Sequence, residues 1–301
     1  MKQFVCLSGM PRSGSTLLSA LLSQNPLIHA EGNSAVCQLM WDMYVSCMNN
    51  VNEQLKGNYR EHMVRDLMLQ IPNTYYHSNA AAGISDRRII VDKCRAWTRK
   101  ANTDLLRQFI DPHIKIIVME RSVTEVIKSF SKLFKKNNWT DEMVSACLNE
   151  LLTPETEPIR MTLEWIKMAH EEYNYKGSQS DPTFLFIHYD DLIEHTDDVL
   201  KRIYAFCGWE EPFQHTFTSI VNTYPENDEF YGLDGFHAIR SVIGKEENTT
   251  VLPPDIMAKC HELDKYYGID KYYGIDKYYC IDKYYGIDNS IDNSIDNSID
   301  N

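Results

Sequence analysis

The stretch QFVCLSGMPRSGSTLLSALLSQ, residues 3–24, decides the fold. Its first six residues form an apolar run that ends at Gly9, which suits a buried strand. Residues 16–24 then carry leucines at helical spacing until Asn25 and Pro26 stop them. Between the two lies GMPRSGST, residues 9–16. Strand, glycine-containing loop and helix together open a βαβ unit. Two glycines let successive backbone N–H groups turn inward, and the helix start behind them adds its positive dipole end, so the loop is built for an anion. It follows the nucleotide pattern G-x-x-x-x-G-K-[ST] except that Ser15 stands at the lysine position. In nucleotide triphosphatases that lysine neutralises the β- and γ-phosphates while the Ser/Thr holds Mg²⁺. Here the cation comes earlier, at Arg12, whose planar fork matches a tetrahedral oxyanion. The plainer reading of the same residues is an ordinary βα turn with a surface arginine.

Working outward, RIIVD (88–92), IKIIVM (114–119) and TFLFI (183–187) are apolar, β-branched or aromatic runs that read as further parallel strands. Helical spacing covers 34–48, 52–70, 101–110, 122–134, 157–175 and 197–207. Strands alternating with helices predict an α/β fold of three layers, α/β/α, around a central parallel sheet with a P-loop-like phosphate-binding loop. Residues 209–250 read as irregular, with Pro212, Pro225, Gly232, Gly235 and Gly244, and a stretch of that length is usually functional.

The 301 residues carry 30 Lys+Arg against 43 Asp+Glu, a formal net charge of −13. Such acidity argues against nucleic acid as a partner, though a local basic pocket still suits a phosphate. No apolar run reaches the roughly 18 residues of a membrane span. From Asp264 the chain becomes repetitive, DKYYGI-like units giving way to DNSI, with eight of the 18 tyrosines. Neither period fits a solenoid repeat. Residues 1–263 are therefore expected to form one α/β domain, and 264–301 a disordered low-complexity tail whose first residues extend a helix. The eight cysteines show no C-x-x-C pair or zinc spacing, and no signal segment precedes the first strand. Both point to a reducing, cytoplasmic setting.

A second motif lies in IIVMERSVTEVIKSF (116–130), which ends a strand in Arg121 and places Ser129 eight residues on, along the next helix. An arginine at the C-terminal edge of a strand points into the crevice where α/β sheets hold ligands; alternatively it pairs with Glu125 one helical turn away. Together with PRSGST (11–16), this segment resembles the sulfotransferases that use 3′-phosphoadenosine 5′-phosphosulfate. The similarity spans residues 3–260 in order. It implies that Pro11, Arg12, Ser13, Gly14, Ser15 and Thr16 hold the 5′-phosphosulfate, and that Arg121 and Ser129 hold the 3′-phosphate. FLFIHYDDL (184–192) is similar to a segment that would place Tyr189 near the adenine. GFHAIRSVIGK (235–245) is similar to a loop closing over the donor, where Arg240, Ser241 and Lys245 would add phosphate contacts. IHAEG (28–32) and VDKC (91–94) resemble segments of a subgroup found in marine microbes and their viruses.

The resemblance implies in-line transfer of a sulfuryl group to a hydroxyl or amine, with the adenosine 3′,5′-bisphosphate as product and no metal. A sulfuryl group carries less charge than a γ-phosphoryl, so cationic side chains and amides can suffice. Lys93 stands where tyrosylprotein-type members have a lysine that steadies the bridging oxygen; it would otherwise salt-bridge a neighbour such as Asp92. The proton acceptor would be Glu31 or His29, alternate residues that share one face if the segment is extended; Glu31 alternatively caps the following helix. The acceptor remains open among glycan, lipid, small alcohol and peptide tyrosine, with Met40, Trp41, Met43 and Tyr44 as candidate walls. The competing readings are a P-loop nucleotide kinase-like enzyme and a non-catalytic nucleotide-binding protein.

Overall fold

Five strands alternate with helices along the chain. They are β1 (Gln3–Gly9), β2 (Ile28–Asn33), β3 (Ile89–Lys93), β4 (Lys115–Glu120) and β5 (Phe184–His188). The computed structural model describes residues 3–48, 53–58, 60, 62–77, 89–153, 159–176, 182–209, 213–245 and 248–268. All strand pairings are parallel, in the order β2-β3-β1-β4-β5. The GMPRSGST loop therefore leaves the central strand, flanked by the ends of β3 and β4.

Alternation along each strand builds two cores. Phe4 and Cys6 of β1 and Ile116 and Val118 of β4 face one side, while Val5, Leu7, Ile117 and Met119 face the other. The first face is covered by α2 (Val36–Met48), α4 (Met63–His77), α5 (Lys100–Phe109), α6 (Val123–Lys136), α8 (Arg160–Lys176) and α11 (Pro254–Tyr267). The second is covered by α1 (Ser15–Leu22), α9 (Tyr189–Glu194) and α10 (Thr196–Cys207). Strands buried on both faces explain the unbroken apolar runs, and each buried Leu or Ile contributes about 1.5–3 kcal/mol. Helix α6 shows the required stripe, burying Val123, Val126, Ile127, Phe130, Leu133 and Phe134.

Several elements differ from the sequence reading. The single helix expected over 52–70 is two, α3 (Glu53–Gly57) and α4, and α4 carries Pro72 inside it. Helices α7 (Asp141–Leu151) and α9 were not anticipated. In α7 the cap is local, Thr140 Oγ1 accepting from the Met143 N–H. Met40 is fully buried, Trp41, Met43 and Tyr44 are partly buried against the core beside it, and none of the four lines the cleft described below. Seven of the eight cysteines lie among the described residues as free thiols. No helix of the described residues is long and apolar enough to cross a membrane.

The first repeat unit contributes to the folded domain. Helix α11 runs through Tyr267, and Asp264 is buried at the start of α6, accepting from the Val123 N–H (2.6 Å), the Thr124 hydroxyl (3.0 Å) and the Ser122 hydroxyl (3.1 Å). A carboxylate against a helix N-terminus satisfies orphan donors and opposes the dipole. Asp264→Ala is expected to destabilise the protein by about 1–3 kcal/mol. In urea melts, a chain ending at residue 263, which also loses the buried Tyr267, should be destabilised at least as much as that variant, and a chain ending at 268 should resemble the full chain; a midpoint for Asp264→Ala equal to that of the full chain would show that the cap contributes nothing. The disordered tail expected over the remaining repeats, residues 269–301, lies outside the described residues.

Candidate active site

The C-terminal ends of β1, β3 and β4 open into a cleft of about 1260 Å³. In a chain of net charge −13, Arg12, Lys93, Arg95, Arg121, Arg240 and Lys245 all line it. Three lysines of α6 at four-residue spacing, Lys128, Lys132 and Lys136, add to one wall. Among the described walls the only acids are Glu125 and Asp190. Charge of one sign in a partly enclosed cleft focuses the field on an anion.

The loop conformation follows from its glycines. Gly14 has φ 90°, and a Cβ there would lie 2.8 Å from Cδ2 of Tyr189, so the ring packs directly against the loop. Arg12 also adopts a left-handed φ, 61°, which a non-glycine residue holds at a cost of about 1–2 kcal/mol. Strain of this kind marks a position whose side-chain direction matters. Helix α1 begins at Ser15 with Gly14 as its cap and no side-chain capping bond. Ser13 turns inward, its hydroxyl donating to the Met10 carbonyl (2.7 Å), and is absent from the cleft walls, whereas Pro11, Arg12, Gly14, Ser15 and Thr16 line the cleft.

The two motifs meet. Arg12 Nε donates to Ser129 Oγ (3.1 Å) across 117 positions of sequence, and Nη1 donates to the Phe236 carbonyl. Arg121 Nη1 donates to the Arg12 carbonyl (2.9 Å), and its guanidinium lies 4.1 Å from the centre of the Tyr189 ring. The Glu125 contact anticipated for Arg121 is also present at 3.8 Å. Arg121 Nε is buried with no hydrogen-bond partner among the described residues. Burial, and then the nearby Arg121, pull Arg12 below the usual arginine range. Two guanidiniums held this close, one with an unused buried donor, are an arrangement that an anion would stabilise.

Lys93 ends β3 beside the loop. Its Nζ donates to Thr16 Oγ1 (3.1 Å) and pairs with Glu226 Oε1 (3.2 Å). The positive charge missing at Ser15 is thus supplied from the neighbouring strand. Burial lowers the Lys93 pKa, partly offset by Glu226. Asp92 points to the opposite face of β3, as strand alternation requires, and accepts from Ser34, Tyr76 and Trp97. The acid paired with Lys93 is therefore Glu226, not Asp92.

His29 and Glu31 share one face of β2 and bond each other, Nε2 to Oε2 at 3.0 Å. His29 is fully buried, with its ring against those of Tyr76 and Tyr224, and neither residue is a wall of the cleft. Arg240 lines the cleft while donating to the Gly244 carbonyl (2.6 Å), and Lys245 lines it while paired with Glu194 (2.7 Å). Ser241 is absent from the walls; its carbonyl takes the Ile220 N–H at the Thr218–Val242 bridge. Aromatic walls come from α6, α8 and the irregular segment, with Phe130, Phe134, Trp165 and Phe236.

Sequence reasoning missed Glu226, Asp228, His237 and the α6 lysines. Some signal was present, since His237 sits in the very loop, 235–245, singled out for its cations. Its partners, however, are local only within a turn that has no regular periodicity.

A profile of the sulfotransferase family matches residues 5–214, more than half of the chain, and this span includes the loop, Lys93, Arg121, Ser129 and Tyr189. A comparison with curated proteins finds no match. Among solved structures, the sulfotransferase domain from the curacin biosynthetic pathway is 16% identical, with a TM-score of 0.50 over 89% of this chain and 97% of that one. The sulfotransferase domain from the Synechococcus PCC 7002 olefin synthase is 17% identical (TM-score 0.49; 89% and 96% covered). A sulfotransferase from Alicyclobacillus acidocaldarius is 14% identical (TM-score 0.49; 90% and 92% covered). Identities this low speak to the fold alone, whereas the profile match spans the cationic loop and both of its partner strands. This chain belongs to the sulfotransferase family, a family of enzymes.

Proposed function

We propose that the protein transfers a sulfuryl group from 3′-phosphoadenosine 5′-phosphosulfate to an acceptor hydroxyl or amine, with side-chain cations and backbone amides in place of a metal. The observation that carries this reading is the Arg12–Ser129 hydrogen bond, which fuses the lysine-free loop and the arginine–serine pair into one cationic cradle. The donor supplies an activated sulfuryl group on a phosphate leaving group. Arg121 and Ser129 hold the 3′-phosphate, Tyr189 flanks the base, and Arg12 links that end of the cradle to the loop. The loop amides, Ser15 and Thr16 orient the 5′ end. Lys93, held by Thr16 and Glu226, sits where charge builds on the leaving oxygen. Arg240 and Lys245 add charge at the rim.

Calorimetry separates this reading from a kinase-like one. The full chain is expected to bind adenosine 3′,5′-bisphosphate more tightly than ATP with Mg²⁺, and the reverse order would overturn the donor assignment. Transfer of labelled sulfate across a panel of glycan, lipid, small alcohol and tyrosyl peptide acceptors then identifies the substrate class.

A further inference from the structure

One arm of the cleft is walled by α6, α7, α8, the segment that crosses the cleft and the start of the 3₁₀ helix Arg95–Thr98 that follows β3. Along one side of it the rings are continuous. Trp139 stacks on Phe134 with centroids 4.6 Å apart, Phe134 stacks on Phe130 at 5.7 Å, and Phe130 lies 6.2 Å from Phe236. The run ends at the donor cradle, where the Arg12 guanidinium stands 5.8 Å from the centre of the Phe236 ring. Trp165 and Leu133 face the same space, and its polar side chains among the described walls are the buried Thr162 and Lys136, the latter paired with Asp234. A sugar presents a hydroxyl on most of its carbons, and such walls leave those groups unpaired. A flat apolar ring matches them.

Arg95 stands exposed in the same cleft, two residues after the buried Lys93. The other cleft cations are largely matched, since Glu226 holds Lys93, Glu125 holds Arg121 and Lys128, and Glu194 holds Lys245. Among the described residues the Arg95 guanidinium has no hydrogen bond or ion pair. It lies close enough to Tyr231 to act on that hydroxyl, and the Tyr231 ring is 5.3 Å from Phe236, where the ring wall begins. An unmatched planar fork beside an apolar arm suits a carboxylate.

The acid–base groups narrow the kind of hydroxyl. The one imidazole among the described cleft walls, His237, has Nδ1 2.7 Å from Asp228 and Nε2 3.3 Å from Glu226, so neither nitrogen is open to a substrate proton. A hydroxyl on an aromatic ring loses its proton far more readily than one on an alkyl chain, as tyrosine shows. Cations around it favour the ionised oxygen further.

Resting on the sulfuryl-transfer reading above and deepening it, we propose that the acceptor is an aromatic hydroxy acid. Its ring lies along the Phe130–Phe134–Phe236 wall, its hydroxyl faces Lys93 and the donor, and Arg95 takes its carboxylate. The hydroxyl proton goes to solvent while the oxygen's electron pair forms the new O–S bond. The S–O bond to the nucleotide's 5′-phosphate breaks, its pair leaving on the phosphate.

The test measures labelled-sulfate transfer by the full chain to 6-hydroxy-2-naphthoate, 2-naphthol, the saturated alcohol decahydro-2-naphthol, maltotriose and a tyrosyl peptide. The acid is expected to exceed 2-naphthol in kcat/KM by about tenfold, the size of one hydrogen bond to a charged group. 2-Naphthol should exceed the saturated alcohol by about tenfold or more, following the acidity of its hydroxyl. Arg95→Ala should bring the acid and 2-naphthol within about threefold of each other, and Trp165→Ala should raise KM for both by about tenfold. Both variants should bind adenosine 3′,5′-bisphosphate within about threefold of the parent, which also reports that the site is folded. A preference for the acid that survives Arg95→Ala overturns the proposal. So does faster transfer to the saturated alcohol, maltotriose or the peptide than to 2-naphthol, or no transfer to either naphthol by a chain that binds the bisphosphate; all of these leave the donor site standing. A parent chain that does not bind the bisphosphate overturns the donor reading, and this one with it.

Discussion

Arg12→Ala should weaken binding of adenosine 3′,5′-bisphosphate by about 30- to 5,000-fold, the equivalent of about 2–5 kcal/mol for losing one member of a desolvated charge contact. The expectation is large because Arg12 has two tasks at once. Its guanidinium spans from Ser129 Oγ to the Phe236 carbonyl, so it ties α6 to the segment crossing the cleft while presenting charge to the ligand. Removing it leaves Arg121 without the neighbour that shapes the cradle and frees residues around Phe236. Arg12→Lys should recover only part of the loss, since one ammonium cannot reproduce a planar fork with two hydrogen-bonded edges. Calorimetry on the two variants checks this, and an affinity within threefold of the parent for Arg12→Ala would remove the cradle from the binding site. Arg121→Ala is expected to weaken binding through its buried, unpartnered Nε donor.

Lys93→Ala is expected to act on turnover more than on affinity, lowering kcat by about 10²–10³-fold, as for loss of one donor to charge that develops in the transition state. The same substitution has a structural consequence, because Glu226 loses the cation that outweighs much of its burial. Its carboxyl would then move up toward the protonated form. A double variant, Lys93→Ala with Glu226→Gln, removes that unpaired carboxylate. It should regain the thermal stability lost by the single variant and regain none of its turnover. Full kinetic recovery in the double variant would instead mean that Lys93 serves only to neutralise Glu226. The comparison needs only a melting curve and donor turnover on the same three proteins.

The parts of the site legible in the sequence were those written locally. GMPRSGST between an apolar run and a leucine-spaced helix identified the loop, and RIIVDK and IIVMER placed Lys93 and Arg121 at strand ends. Each signal depends on periodicity over fewer than about ten residues, which backbone geometry converts directly into a strand, a turn or a helix. The shortfall lay where neighbours are distant. IHAEGN gave no strong strand signal, yet it forms β2, with a register shift between Ala30 and Asn33. The pairing of His29 with Glu31 followed from strand alternation, but their exclusion from the cleft did not, because that depends on Tyr76 and Tyr224 closing over the ring.

The sequence by itself determined the α/β class, the glycine-containing loop between β1 and α1 and the strand ends that carry Lys93 and Arg121, because burial on both faces of a parallel sheet forces continuous apolar runs and puts loops at their ends. Only the tertiary structure decided which side chains converge. Arg12 meets Ser129 117 positions away, Lys93 meets Glu226 133 positions away, and Asp264 caps α6 from 141 positions away. No local pattern encodes such meetings. They arise when helices and strands, each folded on its own periodicity, are packed by hydrophobic burial into one arrangement that brings their polar ends together.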